Sequence, residues 1–399
     1  MEAMDQTASL ARAAPAEPDP AEVGRSQALQ RLVAEEIARL GGWMGFDRYM
    51  QMALYQPRLG YYAAQPGVLG AWGGSSDFIT SPELSPLFAA TLARLLADLG
   101  AAQSLHSIVE FGPGSARLAC DLLCELAAAG DWMPEQYVLV EVSAAMRERQ
   151  RQAVRALPAE LARRVVWWDE LPQRFDGLVL GNEVLDAMPV RLLHRAAAGW
   201  VERGVACGDD GTLRWSERAL PAGSRLRPTL QQLPAGSVTE WHEAAQGWMR
   251  TLAARLQRGV ALLFDYGFPA REYDHPQRSA GTLRCHRGHR AHDQPLWQPG
   301  LSDITSHVDF SAMAEAARDG GLQLLGYTSQ ARFLLNCGLL DILKDRMATA
   351  DAAAMRLAAG VQMLLGEHEM GELFKVLALG RGVAATGLAG EGDRSAALD

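Results

Sequence analysis

The sequence predicts an α/β protein built on a doubly wound parallel sheet. From about Ser107, short apolar runs alternate with stretches of helical periodicity, the pattern of a parallel sheet wrapped by helices. The runs SIVEF, YVLVEV, VVWW and GLVLGNE are mainly apolar with no polar alternation, as expected of strands covered on both faces. Glycines or carboxylates follow several runs, at the strand ends where open α/β sheets bind ligands.

Composition narrows the class. The 399 residues are 48% hydrophobic and 21% charged. That excludes a wholly disordered chain, a collagen and a coiled coil, and the length suits two or three units. A net charge of −9 and scattered arginines argue against a nucleic-acid partner. No segment approaches 18 uninterrupted apolar residues, so no membrane span is expected. The first twenty residues carry acids and no signal-like apolar run, so the expected location is cytoplasmic. The 5 cysteines include no Cys-x-x-Cys pair and offer no disulfide framework. Cys120 and Cys124 read as buried free thiols on a helix.

Residues 1–25, rich in Ala, Pro and acids, read as a disordered tail. Leu29, Leu32, Val33, Ile37 and Leu40 recur at helical spacing and predict a helix over 27–40. A second helix covers 46–54 and stops before Pro57. A Gly-rich, aromatic loop follows to about 83, of a length usually tied to function. A helix over 84–99 completes an N-terminal helical and lid segment, 26–103. The sheet domain then spans 104–382, with two insertions. In the first, at about 190–240, Gly-Asp-Asp-Gly at 208–211 marks a hairpin between RGVAC and TLRWS. The second, at about 268–308, is a polar, His-rich loop. A helix near 242–257, the strand GVALLFDYG, a helix near 310–319, the strand GLQLLGY, helices between 330 and 366 and the strand FKVLALGRG finish the domain. Residues 383–399 read as a second tail.

The strand ends hold the candidate site. After the first run stand Glu110, Gly112, Pro113 and Gly114, whose glycines let backbone approach a ligand and open onto a helix N-terminus. A dinucleotide fingerprint needs glycine at 117, where Arg117 stands, so a nicotinamide cofactor is disfavoured. Glu141 and Val142 end the second run, and a carboxylate there accepts ribose hydroxyls. Trp168 and Asp169 end the third, either flanking an adenine ring or serving as a core tryptophan and a helix-capping aspartate. Asn182, Glu183 and Asp186 leave the fourth together. Acids are rarely buried without partners, so this cluster asks for a cation or polar ligand. Asp265 ends the fifth run. Asp309 reads as a helix N-cap, and His307 is either a site group or structural. Cys285, His286, His289 and His292 superficially suggest a metal cluster, but histidines in steps of three do not match zinc spacings. No metal is expected.

A series of motifs in one order extends this reading: ALYQPRLGYY (53–62), DFITSPE (77–83), VEFGPG (109–114), LVEVS (139–143), GNEVLDAMPV (181–190), FDYG (264–267), TLRCHRGHR (282–290), DITSHVDF (303–310) and GELFKVLALGRG (371–382). Together they resemble the MidA-like family of S-adenosyl-L-methionine-dependent methyltransferases, which includes an arginine methyltransferase of mitochondrial complex I assembly. The resemblance implies a class I SAM-dependent methyltransferase (Rossmann-like) fold. Its seven-stranded sheet has an antiparallel last strand, and an N-terminal helical segment and insertions cover the site.

It also implies S-adenosyl-L-methionine as cofactor. Gly112, Pro113 and Gly114 would line its methionine part, Glu141 would hold its ribose, and Thr80, Ser81 and Pro82 would close over it. Glu110, Val142, Trp168, Asp169 and Asn182 complete the expected cofactor set. Ser76, Ser115 and Ala116 replace glycines common in the family, and Cys285 and His286 stand where relatives tend to show glycine and tyrosine. If the acceptor is an arginine of a protein partner, Glu183 and Asp186 grip its guanidinium, and Asp265 or His307 takes the released proton. A small-molecule acceptor, a non-catalytic assembly protein and a homodimer stay open.

Overall fold

The computed structural model describes residues 17–64, 79–224, 226–347, 352–384, 388 and 390–399. Its central sheet contains β1 (Ser107–Phe111), β2 (Gln136–Val140), β3 (Val165–Trp168), β4 (Phe175–Asn182), β5 (Leu256–Phe268), β6 (Gln323–Ser329) and β7 (Phe374–Arg381). Their spatial order is β3-β2-β1-β4-β5-β7-β6. β7 runs antiparallel to both neighbours, while β1 to β5 are mutually parallel. This is the class I methyltransferase sheet, with one addition: Val308–Asp309 pairs in parallel with the end of β5 and makes an eighth short strand.

Alternation along each strand divides the core. Ile108, Leu139, Leu178 and Leu262 face the helices Pro86–Gln103 and Arg117–Ala129. Val109, Val138, Val179 and Leu263 face Glu243–Arg255 and Phe310–Asp319. Both faces are dry, which explains why the strands carry no polar alternation. The order reverses between β1 and β4, so their carboxyl ends open the crevice in which such sheets bind ligands.

The helix Pro86–Gln103 buries Leu87, Phe88, Leu92, Leu96 and Leu99 in the first of these cores. It therefore packs as part of the sheet domain, not with the segment before it. The earlier helices, Pro20–Arg39 and Phe46–Tyr55, form a third core with Val190, Leu192, Val205, Cys285 and Ile304. This cover includes a five-stranded antiparallel sheet of Met44–Gly45, Arg191–Ala196, Gly199–Cys207, Leu213–Ala219 and Val238–Trp241. Its hairpin turns at Gly208–Gly211, where the Gly208 N–H donates to Thr212 O (2.8 Å) and the Thr212 N–H to Asp210 Oδ1 (3.0 Å).

Several expectations need correction. The first helix begins at Pro20, inside the span read as a tail, because Asp19 and Glu22 form a reciprocal capping box. Residues 268–308 are more than a loop: Arg284–Arg287 pairs with both Arg290–His292 and Asp303–Thr305. At the other terminus, the described residues fold back, with the Arg394 N–H donating to Tyr327 O (2.6 Å) and Arg318 pairing with Asp399 (2.7 Å). Cys120 is half-buried and Cys124 exposed, since Leu118, Ala119, Leu122, Leu123 and Leu126 already fill the inward face of their helix. Among the described residues, no helix is long and apolar enough to cross a membrane.

A buried ion pair ties the two insertions together. The Arg227 guanidinium donates to both oxygens of Asp274 at 2.6 Å and to Glu240 O at 3.1 Å, and Asp274 is fully buried. Removing one partner strands the other charge in a dry environment. Arg227→Ala is expected to cost about 3–5 kcal/mol in chemical denaturation; a loss below about 1 kcal/mol would contradict this role.

Candidate functional site

The crevice is built from the turns after β1, β2, β4 and β5. After β1 the backbone turns sharply at Gly112 and Gly114, with φ of +58° and +52°. A Cβ at Gly112 would stand 3.0 Å from Val184 Cγ2, so position 112 combines a backbone that L-residues resist with a close approach. The loop is held from the lid side, where the Ser115 hydroxyl donates to Glu83 Oε1 at 2.5 Å. Thus Ser115, one of the departures from the family pattern, fastens the SPE motif to the glycine loop. Asp77 and Phe78 of that motif, and Ser76 before it, lie outside the described residues.

At the end of β2, Glu141 accepts from the Ser143 N–H (2.7 Å) and from Gln150 Nε2 (3.1 Å). Burial raises its pKa, and these two donors oppose the rise. Beside it Val142 is 80% exposed, an apolar face next to a polar carboxylate, as adenine and ribose together require. The Arg147 guanidinium donates to Glu141 O, to Trp168 O (3.1 Å) and to Asp169 Oδ1 (2.5 Å), which locks the ends of β2 and β3 together.

Trp168 packs on the core against Phe175 and Asp169 is solvent-exposed. Asp169 caps no helix, so half of that structural alternative does not hold. Glu110 is buried within the sheet and accepts from the Tyr137 hydroxyl at 2.7 Å. Burial pushes its carboxyl up to about 7. It lies on the Ile108 face beneath the glycine loop rather than in the crevice.

The acidic cluster forms where β4 and β5 end. Asp265 accepts the N–H of Leu185 (2.8 Å) and Asp186 (3.3 Å) with one oxygen and that of Tyr266 (3.0 Å) with the other. These bonds shape the turn that presents Glu183 and Asp186. Glu183 itself adopts φ +53°, a strained value for a residue with a side chain. Its carboxylate accepts from Asn182 Nδ2 (3.0 Å) and from the Ser81 backbone N–H. Burial, then the nearby charge of Asp186, pushes Glu183 up to about 8. Asp186 accepts from the Tyr266 hydroxyl at 2.5 Å, and burial raises it to about 6. Burial also drives Asp265 well above the usual carboxylate range.

Two buried polar atoms here, Asn182 Oδ1 and Asp186 Oδ1, have no hydrogen-bond partner within the protein. Both are acceptors, Asn182 at the end of β4 and Asp186 in the turn that follows it. The residues therefore suit a ligand with cationic or N–H groups, such as the ammonium and sulfonium of S-adenosyl-L-methionine or a guanidinium.

Asp265 and His307 do not suit the proton-accepting role. Both oxygens of Asp265 are committed to backbone amides. His307 lies behind Tyr266 in edge contact (5.2 Å), and burial pulls it down to about 3. Its carbonyl and the His242 ring meet at 2.8 Å, which marks it as part of the wall. Asp309 is the expected N-cap, accepting the Ala312 N–H at 3.1 Å. Cys285 and His292 face each other across a hairpin; Cys285 lies in the third core and His292 meets Ser302 Oγ at 3.0 Å.

The fold also brings in groups that sequence reasoning did not single out. Tyr55 and Tyr62 stack at 5.5 Å. The Tyr62 hydroxyl donates to Asp303 Oδ1 (2.8 Å) and that of Tyr55 to Ala187 O (2.9 Å). Asp303 in turn adds to the negative charge felt by Glu183. Two tyrosines in ALYQPRLGYY and the strand-end aspartate of DITSHVDF were the available signals.

Comparison with known proteins agrees with this geometry. Residues 87–328 match the profile of a family of S-adenosyl-L-methionine-dependent methyltransferases. The mitochondrial protein arginine methyltransferase NDUFAF7 of Danio rerio is 30% identical over 87% of this chain and 85% of its own. Its homologue in Drosophila melanogaster is 30% identical over 92% and 88%. A Burkholderia thailandensis protein crystallised with S-adenosyl-homocysteine is 46% identical, with a TM-score of 0.89 over 96% of this chain and 100% of that one. These relatives correct the expected cytoplasmic location, since the curated ones are mitochondrial by name. They also establish the cofactor as S-adenosyl-L-methionine. Gly112→Val, strained in backbone and crowded against Val184, is expected to weaken cofactor binding in titration calorimetry at least tenfold; parent-like affinity would contradict the cradle. The family profile, the relatives and the strand-end crevice converge: this chain is an enzyme of the MidA-like family of S-adenosyl-L-methionine-dependent methyltransferases.

Proposed function

We propose that the enzyme methylates an arginine side chain of a protein partner, with Glu183 and Asp186 holding the guanidinium. The observation that carries this reading is the acidic crevice itself, where Asp186 keeps one buried oxygen without a partner beside Glu183. An anionic or apolar acceptor would leave those carboxylates unanswered. A guanidinium, with a pKa above about 12, stays cationic and presents paired donors to carboxylates. The names of the curated relatives, protein arginine methyltransferases, support the same acceptor.

The bound cofactor supplies an electrophilic methyl on a sulfonium, whose C–S bond breaks as the new C–N bond forms. The chain's residues orient and desolvate the acceptor. Asp265 fixes the turn, Tyr266 holds Asp186, and the Ser81 N–H and Asn182 hold Glu183. Tyr55 and Tyr62 offer stacked aromatic faces near these carboxylates, favourable for a flat cation. Glu183 takes the proton the acceptor nitrogen releases, a role for which its raised affinity for protons suits it. Glu110 and Trp168 support the cofactor loops from the core, while Gly112, Pro113, Gly114, Glu141, Val142, Thr80, Ser81, Pro82 and Asn182 form the cofactor side.

Glu183→Gln is expected to lower turnover on an arginine peptide by roughly a hundredfold or more, with cofactor affinity within about threefold of the parent. Equal loss of both would remove Glu183 from the acceptor side. With the peptide subsaturating, kcat/KM should rise between pH 6 and about 8 as Asp186 and Glu183 ionise; a flat profile would contradict the clamp. Stability should move oppositely. The folded-state pKa of Glu183 lies above the usual 4.5, so its unfavourable ionisation leaves stability intact at low pH and erodes it up to about pH 8. Glu183→Gln should therefore match the parent's Tm near pH 4 and exceed it by a few degrees above about pH 8; a variant less stable than the parent at alkaline pH would reject the assignment.

A further inference from the structure

We infer that Gln150 is a positioning residue for the cofactor, setting the distance between the ribose carboxylate Glu141 and the glycine loop. The inference rests on the assignment of Glu141 to the ribose. Gln150 lies on the helix Ala144–Arg155 and is fully buried. Its amide nitrogen donates to Glu141 Oε2 (3.1 Å) and to Gly114 O (3.0 Å). Its amide oxygen accepts from the Trp167 indole N–H (3.0 Å). A primary amide has two N–H donors, and here both have a partner. The Trp167 donor also fixes which way the amide faces, because the reversed orientation would set NH₂ against N–H.

This arrangement is costly unless it is used. An amide in a dry environment must have its hydrogen bonds answered, and an apolar residue of the same length would fill that volume more simply. The two acceptors reached by the nitrogen come from the turns after β1 and β2; the Gly112 N–H also donates to Val140 O there (3.3 Å), and Gln150 adds the link between the Glu141 carboxylate and Gly114 O. The Arg147 guanidinium, by contrast, donates to the backbone carbonyl of Glu141 and acts on its carboxylate through charge, favouring the ionised form. Of the two side-chain oxygens of Glu141, one is turned by the Ser143 N–H and the other by Gln150. Without Gln150, the carboxylate keeps only its own turn for guidance, and Gly114 O loses its side-chain donor. Gln150 touches neither cofactor nor acceptor in this account; it acts through Glu141 and Gly114.

The test compares cofactor analogues on the full chain by titration calorimetry. Gln150→Met keeps the length and removes the donors. It should raise the Kd for S-adenosyl-homocysteine roughly ten- to a hundredfold, the range for losing a hydrogen bond to a charged group. The 2′,3′-dideoxy analogue, which offers Glu141 no ribose hydroxyl, should lose at least fivefold less. A purely structural role would weaken both ligands alike, and that result, or no weakening of either, overturns the inference. Trp167→Phe, which keeps an aromatic ring but removes the donor that orients the amide along with part of the ring's volume, should show the same selectivity at a smaller size. It carries the test if Gln150→Met does not fold, and unselective weakening there overturns the inference too. Glu141→Gln separates the layers. If that variant binds S-adenosyl-homocysteine like the parent, the ribose assignment fails, and Gln150 fails with it. If it weakens binding while Gln150→Met does not, the assignment stands and only the role of Gln150 falls.

Discussion

Carboxylates that crowd one buried crevice repel each other and resist desolvation, so each must be answered by a donor or a cation. Glu183, Asp186, Asp265 and Asp303 meet this constraint in graded ways. Asp265 is answered by backbone, with N–H groups from Leu185, Asp186 and Tyr266. Asp186 is answered on one oxygen by the Tyr266 hydroxyl, and Asp303 by that of Tyr62. The remaining Asp186 oxygen, together with that of Asn182, is buried with no hydrogen-bond partner within the protein. The innermost acid builds the turn, and in the proposed reading the outer acids on that turn meet the acceptor. The strained backbone of Glu183 is the cost of holding a carboxylate at the edge of this arrangement.

The cover supplies side chains to one side of the crevice. Tyr55 and Tyr62 come from the N-terminal helices, and Asp303 from the small sheet formed by the second insertion. Those elements share a third core, so this side of the crevice is assembled by packing between segments far apart in sequence. The Ser81 hydroxyl donates to Gln330 (3.0 Å), and Gln330 to Leu364 O (3.3 Å). The motif that touches Glu183 is thereby anchored to the C-terminal helices Gln330–Asn336 and Ala352–Leu365. Electrostatic interactions among the crevice's buried carboxylates, Asp186, Asp265 and Asp303, are stronger than they would be in water.

The sheet was legible because its strands obey one rule. Runs such as VVWW and GVALLFDYG are apolar on both faces, and only buried parallel strands need that. Glu141, Glu183 and Asp186 stood out in the sequence because acids at the ends of apolar strands are rarely buried without partners, and the structure does place them at the carboxyl ends of β2 and β4. What stayed hidden depended on tertiary partners. His307 looked like a base in its motif, but its surroundings hold it near 3 and neutral. Asp265 looked catalytic until the amides of Leu185 and Asp186, 80 positions away and nearly so, were found on its oxygen. Gln150 sits in MRERQRQAV, a run of polar residues, and only its helical spacing of four from both Met146 and Val154 marks it as the buried one. The strands of the second insertion are short and polar enough to read as loop.

The central claim is that the acidic crevice receives an arginine from a protein. It is tested most directly by supplying the enzyme with S-adenosyl-L-methionine carrying a labelled methyl group and a hypomethylated protein extract, then hydrolysing the proteins to amino acids. The account predicts label in methylarginine, and none there when Glu183 is replaced by Gln. Label confined to methyl-lysine, to another side chain or to small molecules would contradict it.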